Sequence, residues 1–193
     1  MSGDTIRAFM AIKISEEIRT ALQRVQSRLR RSGARVSWVD PGNIHLTLVF
    51  LGDLPSERIA ELQQDMDRVA GSVPPFLMEV EGVGHFGGPR SPRVIWAGVA
   101  ERSGALSGLQ QGLADAARAS GVSLESRPFH PHLTLGRVRS RRGAGALTSA
   151  LASDSVTVRG TVQVDHVHLF ESRLHPEGAR YTILHSSRLK GEP

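Results

Sequence analysis

The sequence predicts an α+β fold in which two similar lobes are related by a pseudo-twofold axis. The first observation is a repeat, since the tetrad His-Leu-Thr-Leu occurs at residues 45–48 and again at residues 132–135. The second is that similar runs surround each tetrad, which gives an internal repeat at about 5–88 and 92–173. The third is the mixture of strand-like and helix-like patterns in both copies. The 193 residues are therefore expected to form a single two-lobed domain.

The helices are predicted from apolar residues spaced three or four positions apart. The first begins at Ser15, whose side chain can cap it, and has Glu16 and Glu17 where the helix dipole favours negative charge. It is expected to end near Gly33, because glycine commonly follows the last turn of a helix. By the same spacing, three further helices are predicted over residues 55–71, 106–121 and 144–152.

The strands are predicted from short runs rich in apolar residues. They lie at residues 7–14, 45–51, 76–83, 93–100, 132–138, 155–170 with a break near Gly160, and 181–187. Side chains alternate along an extended strand, so the histidine and threonine of each tetrad share one face and the two leucines share the other. Each tetrad therefore presents an imidazole and a hydroxyl together.

Composition removes several classes of protein. The chain has no cysteine, which excludes disulfides, thiolate nucleophiles and cysteine-ligated zinc. Its 24 basic and 19 acidic residues give a formal charge of +5, which favours anionic partners, and nearly all of the positive charge is arginine. There is no leader-like start and no apolar run of roughly 18 residues, so we expect a cytoplasmic protein without membrane contact.

The residue types of the tetrads indicate acid-base chemistry on a phosphodiester. With an unperturbed pKa of about 6.5, one histidine can be neutral while the other is protonated. One can then deprotonate an attacking water while the other protonates the leaving oxygen, and threonine hydroxyls can donate to the non-bridging oxygens. His130 and His132 form a His-x-His pair, but no carboxylate flanks them, so no metal site is predicted.

The residues around the tetrads resemble a known family. They are Arg-Ala-Phe at residues 7–9, Trp38, Phe-Leu-Gly at 50–52, Pro-Arg-Val-Ile-Trp-Ala-Gly at 92–98 and Pro-His-Leu-Thr-Leu-Gly-Arg at 131–137. With these residues around its two tetrads, the chain resembles the two-histidine phosphoesterases of the RNA 2′,3′-cyclic phosphodiesterase group, historically called 2′-5′ RNA ligases. The resemblance extends over nearly the whole chain.

The resemblance implies a bilobal fold whose antiparallel sheets form a central cleft, with the helices on the outside. It also implies a hydrolase that opens a terminal 2′,3′-cyclic phosphate of RNA to a 2′-phosphate, with no metal or other cofactor, and in some members reversible 2′-5′ ligation. By position, His45 would be the general acid and His132 the general base. Thr47 and Thr134 would hold the phosphate.

Arg137 is a further candidate for phosphate binding. It lies five places after His132 and so falls on the opposite strand face by simple alternation. A bulge at Gly136 could restore it to the face of the histidine. Aromatic side chains commonly stack the bases of single-stranded RNA. The candidates for this role are Phe9, Trp38, Phe50 and Phe86.

The expected partner is an RNA end that carries a 2′,3′-cyclic phosphate, in a single strand or in a form like half of a tRNA, bound by a monomeric protein. Two alternatives stay open. One is a related phosphodiesterase that acts on 2′-5′ oligonucleotides, cyclic nucleotides or ADP-ribose cyclic phosphate. The other is a non-catalytic module that binds RNA ends.

Overall fold

The computed structural model describes residues 4–89, 91–153, 156–176 and 178–192. Within them the chain alternates strands with four α-helices, and two short 3-10 turns lie at Pro41–Asn43 and Ser56–Arg58. The elements are β1 Thr5–Lys13, α1 Glu16–Arg30, β2 Val36–Trp38, β3 His45–Pro55, α2 Ile59–Gly71, β4 Phe76–Gly88, β5 Ser91–Ala100, α3 Ala105–Ala119, β6 His132–Val138, α4 Ala144–Leu151, β7 Arg159–Val164, β8 His166–His175 and β9 Gly178–Arg188.

The strands form one antiparallel sheet whose order is symmetric about its centre. The order is β7-β4-β5-β6-β3-β1-β8-β9, and the short β2 pairs with β6. Outward from the centre, the first half reads β3-β1-β8-β9 and the second half reads β6-β5-β4-β7. Each half thus begins with a tetrad strand. This confirms the predicted α+β duplicated fold, while the limits of the repeat at about 5–88 and 92–173 stay a prediction.

The helices cross between the two halves. The helix α1 follows β1 of the first half but contacts β7 and α4 on the second half, whereas α3 follows β5 of the second half and contacts β3 and α2 on the first. The helix α4 contacts β5, and α2 contacts β8 and β9. Each half is therefore covered by helices from both repeats. Among the described helices, none combines the length with the apolar surface that crossing a bilayer requires.

The first helix has the features predicted for it. The Ser15 hydroxyl accepts a hydrogen bond from the Ile18 amide at 3.3 Å. After the helix ends, Gly33 has a φ of +68°, a conformation that glycine adopts without steric cost. The predicted stripe is buried, and it consists of Ile18, Leu22, Val25 and Leu29.

The structure differs from the predicted elements at two places. The run over residues 155–170 breaks at Asp165, between β7 and β8, and not near Gly160. Gly160 instead allows α1 to pack closely against β7, since a Cβ there would lie 2.5 Å from the Cδ1 of Ile18. Residue 155 lies outside the described residues. The three-residue β2 was not predicted, because so short a run carries little pattern of its own.

Two glutamines connect the helices α1 and α3 to the tetrad strands of the opposite repeats. Gln26 of α1 is 2% exposed, and its Nε2 donates to the Val39 carbonyl at 2.7 Å and to the Leu135 carbonyl at 3.0 Å. Gln110 of α3 donates to the Leu48 carbonyl at 3.4 Å. Leu48 and Leu135 are the last residues of the two tetrads. The backbone at each tetrad is therefore held from the opposite repeat.

We expect Gln26→Leu to lower the free energy of unfolding by about 1–3 kcal/mol, because a buried carbonyl and a part-buried carbonyl each lose a donor. The matched control is Gln110→Leu, which removes one longer bond at a half-buried position and should cost less. Urea unfolding followed by circular dichroism measures both variants. Equal transition midpoints in the two variants would contradict the predicted difference.

Candidate active site

The two tetrads meet where the halves of the sheet join. Leu46 of β3 and Leu133 of β6 form an antiparallel pair, and both side chains are fully buried. Continuing this register places His45 opposite Thr134 and Thr47 opposite His132. Because side chains alternate, all four lie on the face away from the leucines. The junction therefore brings two imidazoles and two hydroxyls together.

Both imidazoles are oriented by the same kind of hydrogen bond. The Nδ1 of His45 lies 2.7 Å from the carbonyl oxygen of Asn43, and the Nδ1 of His132 lies 2.7 Å from that of His130. A carbonyl oxygen can only accept, so Nδ1 must carry the hydrogen in both rings. In the neutral form, Nε2 is then the nitrogen with the free lone pair, and it is available to a substrate.

The orienting carbonyl of Asn43 is itself fixed. It belongs to the 3-10 turn, where the Asp40 carboxylate accepts a hydrogen bond from the Gly42 amide at 2.8 Å. The Asn43 side chain donates to the Ala179 carbonyl of β9 at 2.8 Å, which connects the turn to the edge of the first half. The ring of His45 therefore has a defined direction before any ligand binds.

An aromatic cluster encloses His45. The ring of Phe9 stacks on the imidazole with centroids 4.7 Å apart, and the ring of Phe170 lies 5.1 Å from that of Phe9 and 6.0 Å from the imidazole. Tyr181 contacts His45 edge-on at 5.3 Å. Burial in this cluster lowers the pKa of His45, while the hydrogen bond to the Asn43 carbonyl acts to raise it. The cluster thus favours a neutral His45 in the free protein.

His132 has different neighbours. Phe86 contacts it edge-on with centroids 4.9 Å apart, and Trp96 packs against Phe86 at 5.5 Å. Trp96 also pairs with Thr134 in the β5–β6 register. Phe86 remains 37% exposed, so this side of the site is more open to solvent than the cluster around His45.

A bulge follows each tetrad and changes which side chains face the site. The pairing of β3 with β1 skips Leu48, and the pairing of β6 with β5 skips Leu135. Each bulge shifts the alternation by one residue, so Phe50 and Arg137 return to the face of the histidines. The positive charge of Arg137 opposes the rise in the pKa of Tyr181 that burial causes, which indicates that Arg137 lies near that phenol.

The structure does not bring Trp38 to the histidines. Its ring packs against the hydrophobic core on the helical side of the sheet, and the guanidinium of Arg30 lies 5.1 Å from the ring centroid. Gly136 permits this packing, because a Cβ there would lie 3.0 Å from the Trp38 ring and 2.7 Å from a methyl group of Val36. Trp38 is therefore part of the packing beneath the bulge.

The other three candidate stacking residues differ in accessibility. Phe9 is 3% exposed and leaves no face for a base, so it supports His45 instead. Phe50 is 66% exposed and Phe86 is 37% exposed, and both can contact a ligand. Sequence reasoning missed Phe170 and Tyr181. The signal for Phe170 was its place at the end of a run similar to the one that ends at Phe86.

In the described ranges, no group of three or more histidine, aspartate or glutamate side chains lies close enough together to hold a metal ion. The site residues that the structure assembles are histidines, threonines, one arginine and aromatic rings. Two histidines and two threonines on one face of a duplicated sheet match the pattern expected of a two-histidine phosphoesterase.

The chain belongs to the family described as LigT like Phosphoesterase. The sequence profile of that family matches residues 12–96 and again residues 98–181, which together span most of the chain. The two matches contain one tetrad each.

Relatives of known name have similar length. The RNA 2′,3′-cyclic phosphodiesterase of Methanothermobacter thermautotrophicus is 33% identical over 184 residues, which cover 95% of this chain and 99% of that protein. The protein of the same name from Thermotoga maritima is 32% identical over 186 residues, with coverage of 96% and 97%.

Solved structures share the fold. TT0787 of Thermus thermophilus has a TM-score of 0.79 and 30% identity, and the match covers 97% of this chain and 100% of that one. Escherichia coli LigT complexed with 3′-AMP has a TM-score of 0.76 and 30% identity, with coverage of 96% and 99%.

We expect His45 to titrate below its ordinary pKa of 6.5, because burial disfavours the imidazolium. Replacing its stacking partner with a smaller apolar residue, as in Phe9→Leu, should raise this pKa by admitting water. Titration of the histidine ring signals by two-dimensional NMR measures both proteins. A pKa for His45 at or above the ordinary value, or a fall in the variant, would contradict the role assigned to the cluster.

Proposed function

We propose that this protein hydrolyses the terminal 2′,3′-cyclic phosphate of RNA to a 2′-phosphate, by acid-base catalysis that uses two histidines and no metal. The observation that carries the proposal is the junction of β3 and β6, which sets two similarly oriented imidazoles beside two threonine hydroxyls. The names of the relatives support an RNA cyclic phosphate as the substrate. The 3′-AMP in the Escherichia coli LigT complex supports a cleft that accepts a nucleotide.

In the proposed reaction, the Nε2 of His132 accepts a proton from water as the water oxygen bonds to phosphorus. The bond between phosphorus and O3′ breaks, and the protonated Nε2 of His45 donates its proton to O3′. The product carries a 3′-hydroxyl and a 2′-phosphate. Thr47 and Thr134 donate hydrogen bonds to the non-bridging oxygens, where negative charge is concentrated. Their β-branched side chains restrict χ1 and hold each hydroxyl in place.

Arg137 is proposed to bind the same phosphate. The bulge brings it to the face of the histidines, and a guanidinium can contact two oxygens of a phosphate at once. Phe50 occupies the corresponding position after the first tetrad, so it is proposed to contact the terminal nucleoside. Phe86, beside His132, is proposed to stack a base at the other rim.

The assignment of His45 as general acid requires that it be protonated when substrate is bound. Burial lowers its pKa in the free protein, whereas the negative charge of a bound phosphodiester favours the imidazolium. Substrate binding is therefore proposed to supply the charge that holds the proton on Nε2. The same low pKa in the free protein would suit the opposite assignment, with His45 as base, so the roles need their own test.

The same geometry would support 2′-5′ ligation in some conditions. If a 5′-hydroxyl of a second RNA takes the position of the water, its attack on phosphorus with loss of O3′ gives a 2′-5′ bond. The two histidines keep their roles in ligation and exchange them in the reverse step, which regenerates the cyclic phosphate. Hydrolysis is the main reaction proposed, because water is in large excess.

The proposal is tested with an RNA oligonucleotide that ends in a 2′,3′-cyclic phosphate, in the presence of EDTA. Wild type should form the 2′-phosphate, and His45→Ala or His132→Ala should each lose about 10²–10⁴ in rate. The matched control is His175→Ala, which removes an exposed histidine at the end of β8 and should leave the rate unchanged. Chromatography that separates 2′- from 3′-phosphate ends measures the product.

Loss of activity in EDTA with recovery on addition of one divalent metal would overturn the metal-free scheme. No turnover with intact binding of the RNA end would favour the non-catalytic module. Turnover of 2′-5′ oligonucleotides or free cyclic nucleotides in preference to RNA ends would favour the related phosphodiesterase.

The two histidine roles are separated with a cyclic phosphate in which sulfur replaces O3′. A thiolate leaves without being protonated, so His45→Ala should lose less than about tenfold on this substrate while losing far more on the oxygen substrate. His132→Ala should be impaired on both. If the sulfur substrate instead restored the activity of His132→Ala and not that of His45→Ala, His132 would be the acid and His45 the base.

A further inference from the structure

The positive charge of the chain is concentrated in two segments. Residues 82–100 and 126–153 contain seven of the 24 basic residues and none of the 19 acidic residues. The rest of the chain therefore carries more acidic than basic residues, so these segments account for the whole of the positive formal charge of +5. A charge pattern of this kind marks the face that an anionic partner approaches.

The fold places these segments side by side and next to the tetrads. They contain β5 and β6, which are adjacent antiparallel strands, and β6 carries His132 and Thr134 at its beginning. Further along β6, Arg137 returns to the face of the histidines after the bulge. The Nε of Arg139 donates to the hydroxyl of Ser37 at 2.7 Å, and Ser37 pairs with Arg137 in the β2–β6 register. The guanidinium of Arg139 is thus held in one direction.

Beyond the end of β6, three arginines line a cavity of about 240 Å³. They are Arg93, Arg139 and Arg141, and the hydroxyl residues Ser91 and Ser140 also line it. All three arginines are exposed to solvent. We call Arg93, Arg139 and Arg141 the arginine surface. Its charge is open to solvent and close to small hydrogen-bond donors, as a phosphate-binding surface requires.

The arginine surface lacks acidic partners in the part of the chain that the structure describes. Several other arginines form ion pairs, such as Arg68 with Asp65 and Arg118 with Asp115, both on the outer helices. No ion pair to an acidic residue is formed there by the three arginines of the arginine surface. Their charge is therefore not neutralised from within the described residues.

We propose that the arginine surface binds backbone phosphates of RNA nucleotides on the 5′ side of the terminal cyclic phosphate. This inference rests on the proposed function, and it deepens it by assigning an RNA chain, not a mononucleotide, as the preferred substrate. The distance from Thr134 to Arg139 along the strand is about 16 Å at roughly 3.3 Å per residue, so the surface lies beyond the reach of a single nucleotide. Contacts to phosphates carry no base information, so the preference is independent of sequence.

The test compares two substrates, 2′,3′-cyclic AMP and a short RNA oligonucleotide that ends in a 2′,3′-cyclic phosphate. The double variant Arg139→Gln/Arg141→Gln should lower kcat/KM about tenfold on the oligonucleotide and leave it unchanged on 2′,3′-cyclic AMP. Its affinity for the oligonucleotide should also depend less on salt, by about 1.4 in the slope of log K against log salt, since two phosphate contacts are lost. The control is Arg68→Gln/Arg118→Gln, which removes the same charge from the outer helices and should behave as wild type.

Equal loss on both substrates, an unchanged rate on the oligonucleotide, or an equal effect of the control variant would each overturn the assignment. Binding of a fluorescent RNA that ends in a 3′-phosphate, measured by anisotropy, gives a readout that does not need turnover. If wild type hydrolyses neither substrate, the proposed function fails, and the binding data still decide whether the arginine surface holds RNA. Unchanged RNA affinity in the double variant would then reject it.

Discussion

The pair of Leu46 with Leu133 connects the two halves of the sheet, and the geometry of the whole site depends on it. Each leucine lies between the histidine and threonine of its own tetrad, and both are fully buried. Burial on one face fixes the register, because a slip of one residue would turn every side chain to the other face. The same apolar contact that closes the core therefore aligns two imidazoles and two hydroxyls on the opposite face.

Contacts that each repeat makes with the other stabilise this arrangement. The glutamine of each long helix bonds to the last tetrad residue of the other repeat, and Phe170 and Phe86 lie beside the histidines of the opposite repeats. Each histidine therefore has an aromatic neighbour that the other repeat supplies. The duplication also leaves differences, since Lys13 pairs with His45 where Gly98 pairs with His132, and the aromatic cluster lowers the pKa of His45. A reaction that needs one acid and one base benefits from two similar groups in unlike surroundings.

The helices and the tetrad strands could be predicted because their signals are local. Apolar spacing and a capping serine define α1, and alternation defines the polar face of each tetrad. The β3–β6 junction and the crossing of the helices could not be read from such patterns, because they depend on contacts between distant segments. For the same reason Trp38 and Phe86 had equal claims as stacking residues, although one packs beneath the sheet and the other lies beside His132. Arg137 was a candidate only if a bulge interrupted β6, and the structure has that bulge.

The most direct measurement of the central claim is a crystal structure with a nucleoside 2′-phosphate bound. The junction predicts that the phosphate lies between the histidines, with an oxygen within hydrogen-bond distance of each Nε2 and others near the hydroxyls of Thr47 and Thr134. It also predicts that both Nδ1 atoms keep their bonds to the carbonyls of Asn43 and His130. A phosphate bound to one histidine alone, or a ring turned to present Nδ1, would contradict the assignment of a shared two-histidine site.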